Sequence, residues 1–463
     1  MYKDEDLLVL GIGVSEYKTD GVLRFEHFCK VFDLPYRILG DGKIWMGGEM
    51  AAGMGGGQKI NEVTEALEKL DNKLVIICDT FDLFPVAGKE EIMDKFNSIY
   101  TPGSVIFSSE VYCWPAKNLA NVYPKVTSKY AAKYKFLNSG CIMGYRDDIY
   151  KLIQDGNVKD NDDDQLFFTK KYLEGANIIL DHKCELFQAI NGAYDDITFH
   201  KNRVYNKYTD SYPIFLHGNG PAKIFLNNLE NYIDPHGLGV PTNYYNNNIV
   251  PILDDSSVPK VFIALYIDSS KTDQCKIFLS SVFSIRYQNR VIYIYDSSYN
   301  EEIKQLVETF QCVYTSDTDK YVYDDFKKLD CEYYFLLEQR CIITKKDILN
   351  ELVPLCNKYH RIISPLLRGK QNESFTNYWG DIGSDGYYKR ADDYFTLINS
   401  DLRGLWNAPY VSGAILFHGS IINHWNLSKQ NSFGDRDMNL CYNLRRDTLF
   451  MYMCNYSIYG YME

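Results

Sequence analysis

Asp79 and Asp82, in Asp79-Thr80-Phe81-Asp82, directly follow the apolar run Leu74-Val75-Ile76-Ile77-Cys78. A buried strand ending this way puts hard oxygen ligands at the carboxyl edge of a sheet. A divalent metal ion and the diphosphate of a sugar nucleotide can be held together there. Alone, such a pair more often makes a turn or caps a helix, because the short Asp side chain bonds nearby backbone N–H groups. Its weight depends on what else the chain supplies.

Four other segments offer fitting chemistry. Asp160-Asn161-Asp162-Asp163-Asp164-Gln165 runs into Leu166-Phe167-Phe168. A block of like charge is usually a solvated loop. Carboxylates held at a helix start can instead accept hydrogen bonds from sugar hydroxyls and stabilise positive charge at an anomeric carbon, and position favours Asp163 and Asp164 for this. His217-Gly218-Asn219-Gly220-Pro221 follows the apolar Tyr212 to Leu216. A histidine after a strand is often structural, yet the glycines permit close backbone approach and imidazole suits Mn²⁺, so His217 is the candidate third ligand. Gly55-Gly56-Gly57-Gln58-Lys59 leads into a helix expected from Ile60. Such a loop can expose backbone N–H groups at a helix N-terminus to phosphate, with Lys59 adding a positive charge, but it lacks the spacing of a Walker or dinucleotide motif and as an isolated signal is weak. Trp114, before Pro115, either packs in a rigid turn or lays its ring against sugar C–H groups.

The scaffold must be large. With 463 residues, 46% hydrophobic and 24% charged, the chain predicts a globular protein of two domains. A net charge of -12 argues against nucleic acid as the main partner. No apolar run approaches the ~18 residues needed to span a bilayer, so no membrane span is expected. Met1 to Asp6 lacks the basic and apolar regions of a signal peptide, which predicts a cytoplasmic setting ahead of the endoplasmic reticulum lumen. Twelve cysteines form no closely spaced pairs, and Cys78, Cys141 and Cys331 are expected to be small buried hydrophobes. The abundance of Tyr, 39 residues, together with Asn, Lys and Ile fits an AT-rich coding genome such as that of a protist or large DNA virus.

Short apolar runs alternate with amphipathic segments, predicting an α/β fold with a largely parallel sheet. Leu7 to Ile12 and Tyr36 to Leu39 read as strands; Phe25, Phe28, Cys29 and Phe32, then Ile60, Val63, Leu67 and Leu70, fall at helical spacing. Residues 246–259 are polar and proline-punctuated and predict a linker between domains 1–245 and 260–463. The pattern then restarts: Val261 to Ile267 mirrors the first strand and Tyr333 to Leu337 the run before Asp79. This predicts a duplication. Glu338-Gln339-Arg340 occupies the place of the acidic pair, so the second copy is expected to have lost any metal site.

Together these segments resemble the glycosyltransferase and accessory domains of the multifunctional procollagen lysyl hydroxylases. The matching stretches include Trp45-Met46-Gly47-Gly48, Gly55 to Lys59, Glu110 to Pro115, Phe136-Leu137-Asn138-Ser139-Gly140, the acidic run into Gln165, Leu180 to Lys183, Asn191-Gly192-Ala193 and His217 to Pro221. In the second half they are Asn377 to Gly380, Trp406 to Tyr410 and Asp437-Met438. The resemblance implies two tandem GT-A-like (Rossmann-like) domains, the second degenerate. It implies transfer of glucose from UDP-glucose to galactosylhydroxylysine of collagen, with Mn²⁺ and with retention. On that basis Asp79, Asp82 and His217 bind the metal; Ser15, Trp45, Lys59, Phe81 and Asp79 surround the nucleotide; Trp114, Asp163 and Asp164 face sugar and acceptor. No histidine begins a His-x-Asp iron motif, so lysyl hydroxylation is not expected. The alternatives are a hydroxylysine galactosyltransferase using UDP-galactose and a collagen-binding pseudo-transferase, and a homodimer is as compatible with the sequence as a monomer.

Overall fold

The computed structural model describes residues 7–49, 54–154, 156–233, 258–316, 322–424 and 435–463. Two compact units divide the chain, Met1–Pro241 and Thr242–Glu463. Residues 246–257 of the expected linker lie outside the described residues.

The first unit is built on β1 (Leu7–Ser15), β2 (Tyr36–Asp41), β3 (Leu74–Asp79), β5 (Val105–Glu110), β6 (Phe136–Tyr145) and β7 (Ile178–Leu180), in the sheet order β2-β1-β3-β6-β5-β7. Strands β1 and β3 are apolar at nearly every position because helices cover the sheet. One of these, α1 (Asp20–Val31), is capped by Thr19 and buries Phe25, Phe28 and Cys29. A second sheet runs β8-β9-β4, from β4 (Leu83–Pro85), β8 (Phe187–Ala189) and β9 (Phe215–His217). The large sheet is mixed rather than largely parallel. β1 is parallel to β2 and β3, but β6 runs antiparallel to both β3 and β5.

The second unit repeats this plan with β10 (Val261–Ile267), β11 (Arg290–Asp296), β12 (Val313–Thr315), β13 (Tyr333–Glu338), β15 (Ile362–Pro365), β17 (Leu405–Ala408), β18 (Ala414–His418) and β19 (Met451–Cys454). Its large sheet is ordered β12-β11-β10-β13-β18-β15-β19-β17. The small sheet is β14-β20-β16, from β14 (Cys341–Ile343), β16 (Arg368–Gly369) and β20 (Gly460–Met462). β10 is parallel to β11 and β13, and β18 antiparallel to β13 and β15, as in the first unit. The chain is thus two tandem mixed α/β units of the same plan.

Two local expectations differ. The helix α2 (Gly57–Glu68) starts three residues before Ile60, because Gly56, at φ 108°, forms its cap. Cys331 is half-buried in the turn before β13 rather than inside the core, whereas Cys78 and Cys141 are fully buried. All twelve cysteines are free. Among the described residues no helix is long and apolar enough to cross a membrane.

Candidate functional site

Strand pairing assembles the site. Asp79 ends β3, and Asp82 immediately precedes β4. β9 runs antiparallel to β4 with His217 opposite Leu83, and Gly218 N–H donates to the Asp82 carbonyl at 2.8 Å. That register carries His217 to Asp82. One ligand atom from each of Asp79, Asp82 and His217 lies within 4.8 Å of the others.

Each carboxylate divides its two oxygens. Asp79 Oδ1 accepts from Lys59 Nζ at 2.7 Å while Oδ2 faces His217 Nε2 at 3.9 Å. Asp82 Oδ2 meets Lys223 Nζ at 3.2 Å while Oδ1 faces the same Nε2 at 3.5 Å. The donors Asp79 Oδ2, Asp82 Oδ1 and His217 Nε2 therefore point at one place. Two carboxylate oxygens and an imidazole nitrogen fit a divalent ion of the Mn²⁺ class. Burial raises the Asp79 carboxyl above its ordinary range against the pull of Lys59. Burial also raises Asp82, but Lys223 and His217 outweigh it and hold that carboxyl well below the usual range.

A buried polar network orients the histidine. The pairing of β5 with β6 shifts register between Phe107 and Ser108, and the irregularity brings Asn138, Ser139 and Gly140 to the site. Asn138 Oδ1 accepts from Gly140 N–H at 3.1 Å, and its Nδ2 donates to Glu110 Oε1 at 3.0 Å, which assigns the amide. His217 Nδ1, 3.1 Å from Asn138 Oδ1, must then be the protonated nitrogen, leaving the Nε2 lone pair toward the carboxylates. Glu110 also accepts from Gln165 Nε2 at 2.8 Å and, through Oε2, from Asn219 Nδ2 at 2.9 Å. Burial raises its carboxyl despite these bonds. Gly140 lies against the imidazole: a Cβ there would be 2.1 Å from His217 Cε1. Glu110 and Lys223 were not anticipated as site residues. The signal for Glu110 was the one used for Asp79, an acid ending a buried strand; for Lys223 it was a cation opening the helix α4 (Lys223–Glu230) just after His217.

The acidic run splits in two. Asp163 caps the helix α3 (Asp164–Leu173), its Oδ1 accepting from Leu166 N–H at 2.7 Å. Burial pushes its carboxyl up to about 6. Asp164 turns inward: its Oδ2 accepts from Ser139 Oγ at 2.9 Å and lies 3.8 Å from Lys59 Nζ. Lys59 thus stands between Asp79 and Asp164, which raise the ammonium above its ordinary range against its burial. The glycine loop does not offer the expected phosphate cradle. Gly57 N–H donates to the Asp162 carbonyl at 2.7 Å and Gln58 N–H to the Asp160 carbonyl at 2.9 Å, so the acidic loop has taken the first donors of α2. The loop sits so close that a Cβ at Gly56 would meet Asp164 Oδ1 at 2.1 Å.

The remaining candidates lie outside this cluster. Ser15, at the end of β1, donates its Oγ to the Tyr17 carbonyl at 2.7 Å. Trp45 is half-buried and donates Nε1 to the Gly48 carbonyl at 2.8 Å. Phe81 is half-buried between the two aspartates. Trp114 leaves 39% of its surface exposed, and its carbonyl accepts from Gln165 Nε2 at 3.1 Å.

The family model of the PLOD GT domain matches residues 3–238, half of the chain and all of this site. The chain belongs to the PLOD glycosyltransferase-domain family. A second model, the glycosyltransferase family 25 N-terminal domain, matches residues 320–463. This PLOD-family chain is 52% identical to an uncharacterized protein of Acanthamoeba polyphaga mimivirus, over 99% of this chain and 98% of that one. It is 31% identical to procollagen-lysine,2-oxoglutarate 5-dioxygenase 2 of Mus musculus and 30% identical to the multifunctional procollagen lysine hydroxylase and glycosyltransferase LH3 of Homo sapiens. In both cases 98% of the chain aligns, yet it spans only 65% of the relative. Among solved structures it is similar to a mannosyltransferase from Pyrobaculum calidifontis in complex with GDP-Man and Mn²⁺, at 11% identity and a TM-score of 0.33 over 45% of this chain and 58% of that one.

Proposed function

We propose that this chain is an Mn²⁺-dependent retaining glucosyltransferase that moves glucose from UDP-glucose to galactosylhydroxylysine in collagen or a collagen-like polypeptide. The observation that carries the reading is the convergence of Asp79 Oδ2, Asp82 Oδ1 and His217 Nε2 in a member of this family. The family resemblance supplies donor and acceptor, and the relatives' names join procollagen with glycosyl transfer.

When bound, Mn²⁺ supplies Lewis-acid stabilisation of a departing diphosphate. Asp79, Asp82 and His217 would hold it. Lys59 and Lys223 lie within reach of the same oxygens and offset phosphate charge. Asp164, set by Ser139 and Lys59, presents a carboxylate to positive charge developing on the sugar. Asp163 fixes the start of the helix that carries Asp164. Trp114 offers an exposed ring to sugar or acceptor, and Ser15, Trp45 and Phe81 border the nucleotide. The second unit supports the first without chemistry of its own.

The test is release of UDP from UDP-glucose with Mn²⁺ and collagen carrying galactosylhydroxylysine. Release no greater than that of an Asp82→Ala variant overturns the proposal. Faster reaction of UDP-galactose on galactose-free collagen transfers the reading to a hydroxylysine galactosyltransferase.

A further inference from the structure

We propose that the segment from Trp114 to Lys135 is the docking surface for the acceptor polypeptide, and that it takes stretches bearing acidic side chains. The inference rests on the transferase reading of the adjoining site.

The chain holds 61 acidic residues, yet none falls between Val111 and Arg146, where five lysines do. Lys117, Lys125 and Lys129 are exposed and Lys135 half-buried, and none of the four is ion-paired with a described residue. Lys133 is different, since it pairs with Asp196 at 2.6 Å. Lys129 is held over the rings of Tyr130 and Tyr208, 4.9 and 5.8 Å from their centroids, an arrangement that leaves its charge available. The same segment and its border expose large apolar side chains: Tyr112, Trp114, Val122 and Val126. Unpaired cations beside exposed aromatic and aliphatic groups, with no acid among them, are complementary in charge to an acidic polypeptide.

The segment is also fixed and well placed. Tyr123 is buried, its hydroxyl accepting from Leu137 N–H at 3.2 Å and its ring packing on Phe136. Glu110 and the Trp114 carbonyl anchor one end to Gln165, while Asn138, Ser139 and Gly140 follow the other end directly. A polypeptide lying on it therefore runs past the proposed sugar site. The net charge of -12 repels a nucleic acid at long range, whereas a peptide carrying a few acids meets only the local lysines.

The experiment uses the full chain and labelled triple-helical Gly-X-Y peptides with either glutamate or lysine at the X positions, read by fluorescence anisotropy. A Lys117→Glu/Lys125→Glu/Lys129→Glu variant is expected to bind the glutamate peptide about tenfold more weakly, with the difference closing at high salt. UDP-glucose hydrolysis without acceptor and the melting temperature should stay as in the parent chain; the matching triple Gln variant, with intermediate affinity, guards against misfolding. Unchanged affinity for the glutamate peptide, a parent preference for the lysine peptide, or tighter binding of single-stranded RNA each overturns the docking proposal. A parent chain that binds the glutamate peptide but hydrolyses no UDP-sugar keeps this surface and refutes the transferase reading instead.

Discussion

In the first unit, Asp79 and Asp82 meet His217; in the second, Glu338 and Arg340 hold the matching places and Met462 stands where the histidine would be. The match is set by register: β13 pairs with β10 as β3 pairs with β1, and Met462 faces Cys341 as His217 faces Leu83. Arg340 Nε lies 3.0 Å from Glu338 Oε2, and its Nη2 donates to Asp437 Oδ2 at 2.7 Å. Asp437 lies in the helix α5 (Arg436–Arg446), capped by Asp435 as α3 is by Asp163. Both units thus gather acids at one sheet edge. The second neutralises them with its own guanidinium, whereas the first leaves three donors aimed at a common point. An acidic edge needs a cation, and the two copies differ in whether the chain supplies all of it.

The largest expected break in this comparison is Asp82→Ala, which should remove the Mn²⁺-dependent rise in melting temperature and lower transfer on the order of a thousandfold, the equivalent of several kcal/mol of Lewis-acid stabilisation. Arg340→Ala should leave transfer intact and should not abolish the Mn²⁺-dependent rise. Next is Glu110→Gln. Its amide accepts at only one end, so Asn138 or Asn219 loses an acceptor, and Mn²⁺ affinity measured by calorimetry should fall about 10–100-fold, as for other partners of metal-bound histidines. Equal loss in both units' variants would erase the distinction between the two units.

Smaller effects sharpen it. Arg340→Ala leaves Glu338 and Asp437 facing each other, at a cost of about 1–2 kcal/mol given the partial exposure of the guanidinium. In an Asp82→Ala background, added Mn²⁺ should recover part of that loss if Arg340 stands in for a cation. Asp163→Ala should cost about 1 kcal/mol as a lost cap, and Asp163→Asn much less, while Asp164→Asn should reduce transfer without comparable loss of stability. The smallest effect is on pH dependence. Burial and Glu338 push the Asp437 carboxyl up to about 7. Because this acid binds its proton more tightly in the folded chain than in the unfolded one, its contribution is present in full below about pH 4 and is lost as pH rises to about 7. Melting temperature should therefore fall less between pH 5 and 7.5 in Asp437→Asn than in the parent chain.

Much of this was legible in the residues. The strands β1, β3, β10 and β13 announce themselves as apolar runs, and the acidic pair at the end of β3 is visible against Glu338 to Arg340 in the repeat. The mixed direction of the sheet was not, because strand direction is set by the connections and leaves no mark on composition. Asp163 and Asp164 were indistinguishable as neighbours in an acidic run; only the helix start separates a carboxylate that caps from one that turns inward. The glycine loop misled for a related reason. Its N–H groups suit phosphate, but the carbonyls of Asp160 and Asp162 reached them first.

The sequence by itself determined the two α/β units, their kinship and the acids at a sheet edge, since burial periodicity and strand-end chemistry are local properties. Tertiary structure alone decided that His217 reaches Asp82, that its Nε2 is the free nitrogen and that Glu110 underlies both. Those outcomes depend on register between distant strands and on which of several acceptors each donor meets, and neither is written in the neighbourhood of a residue.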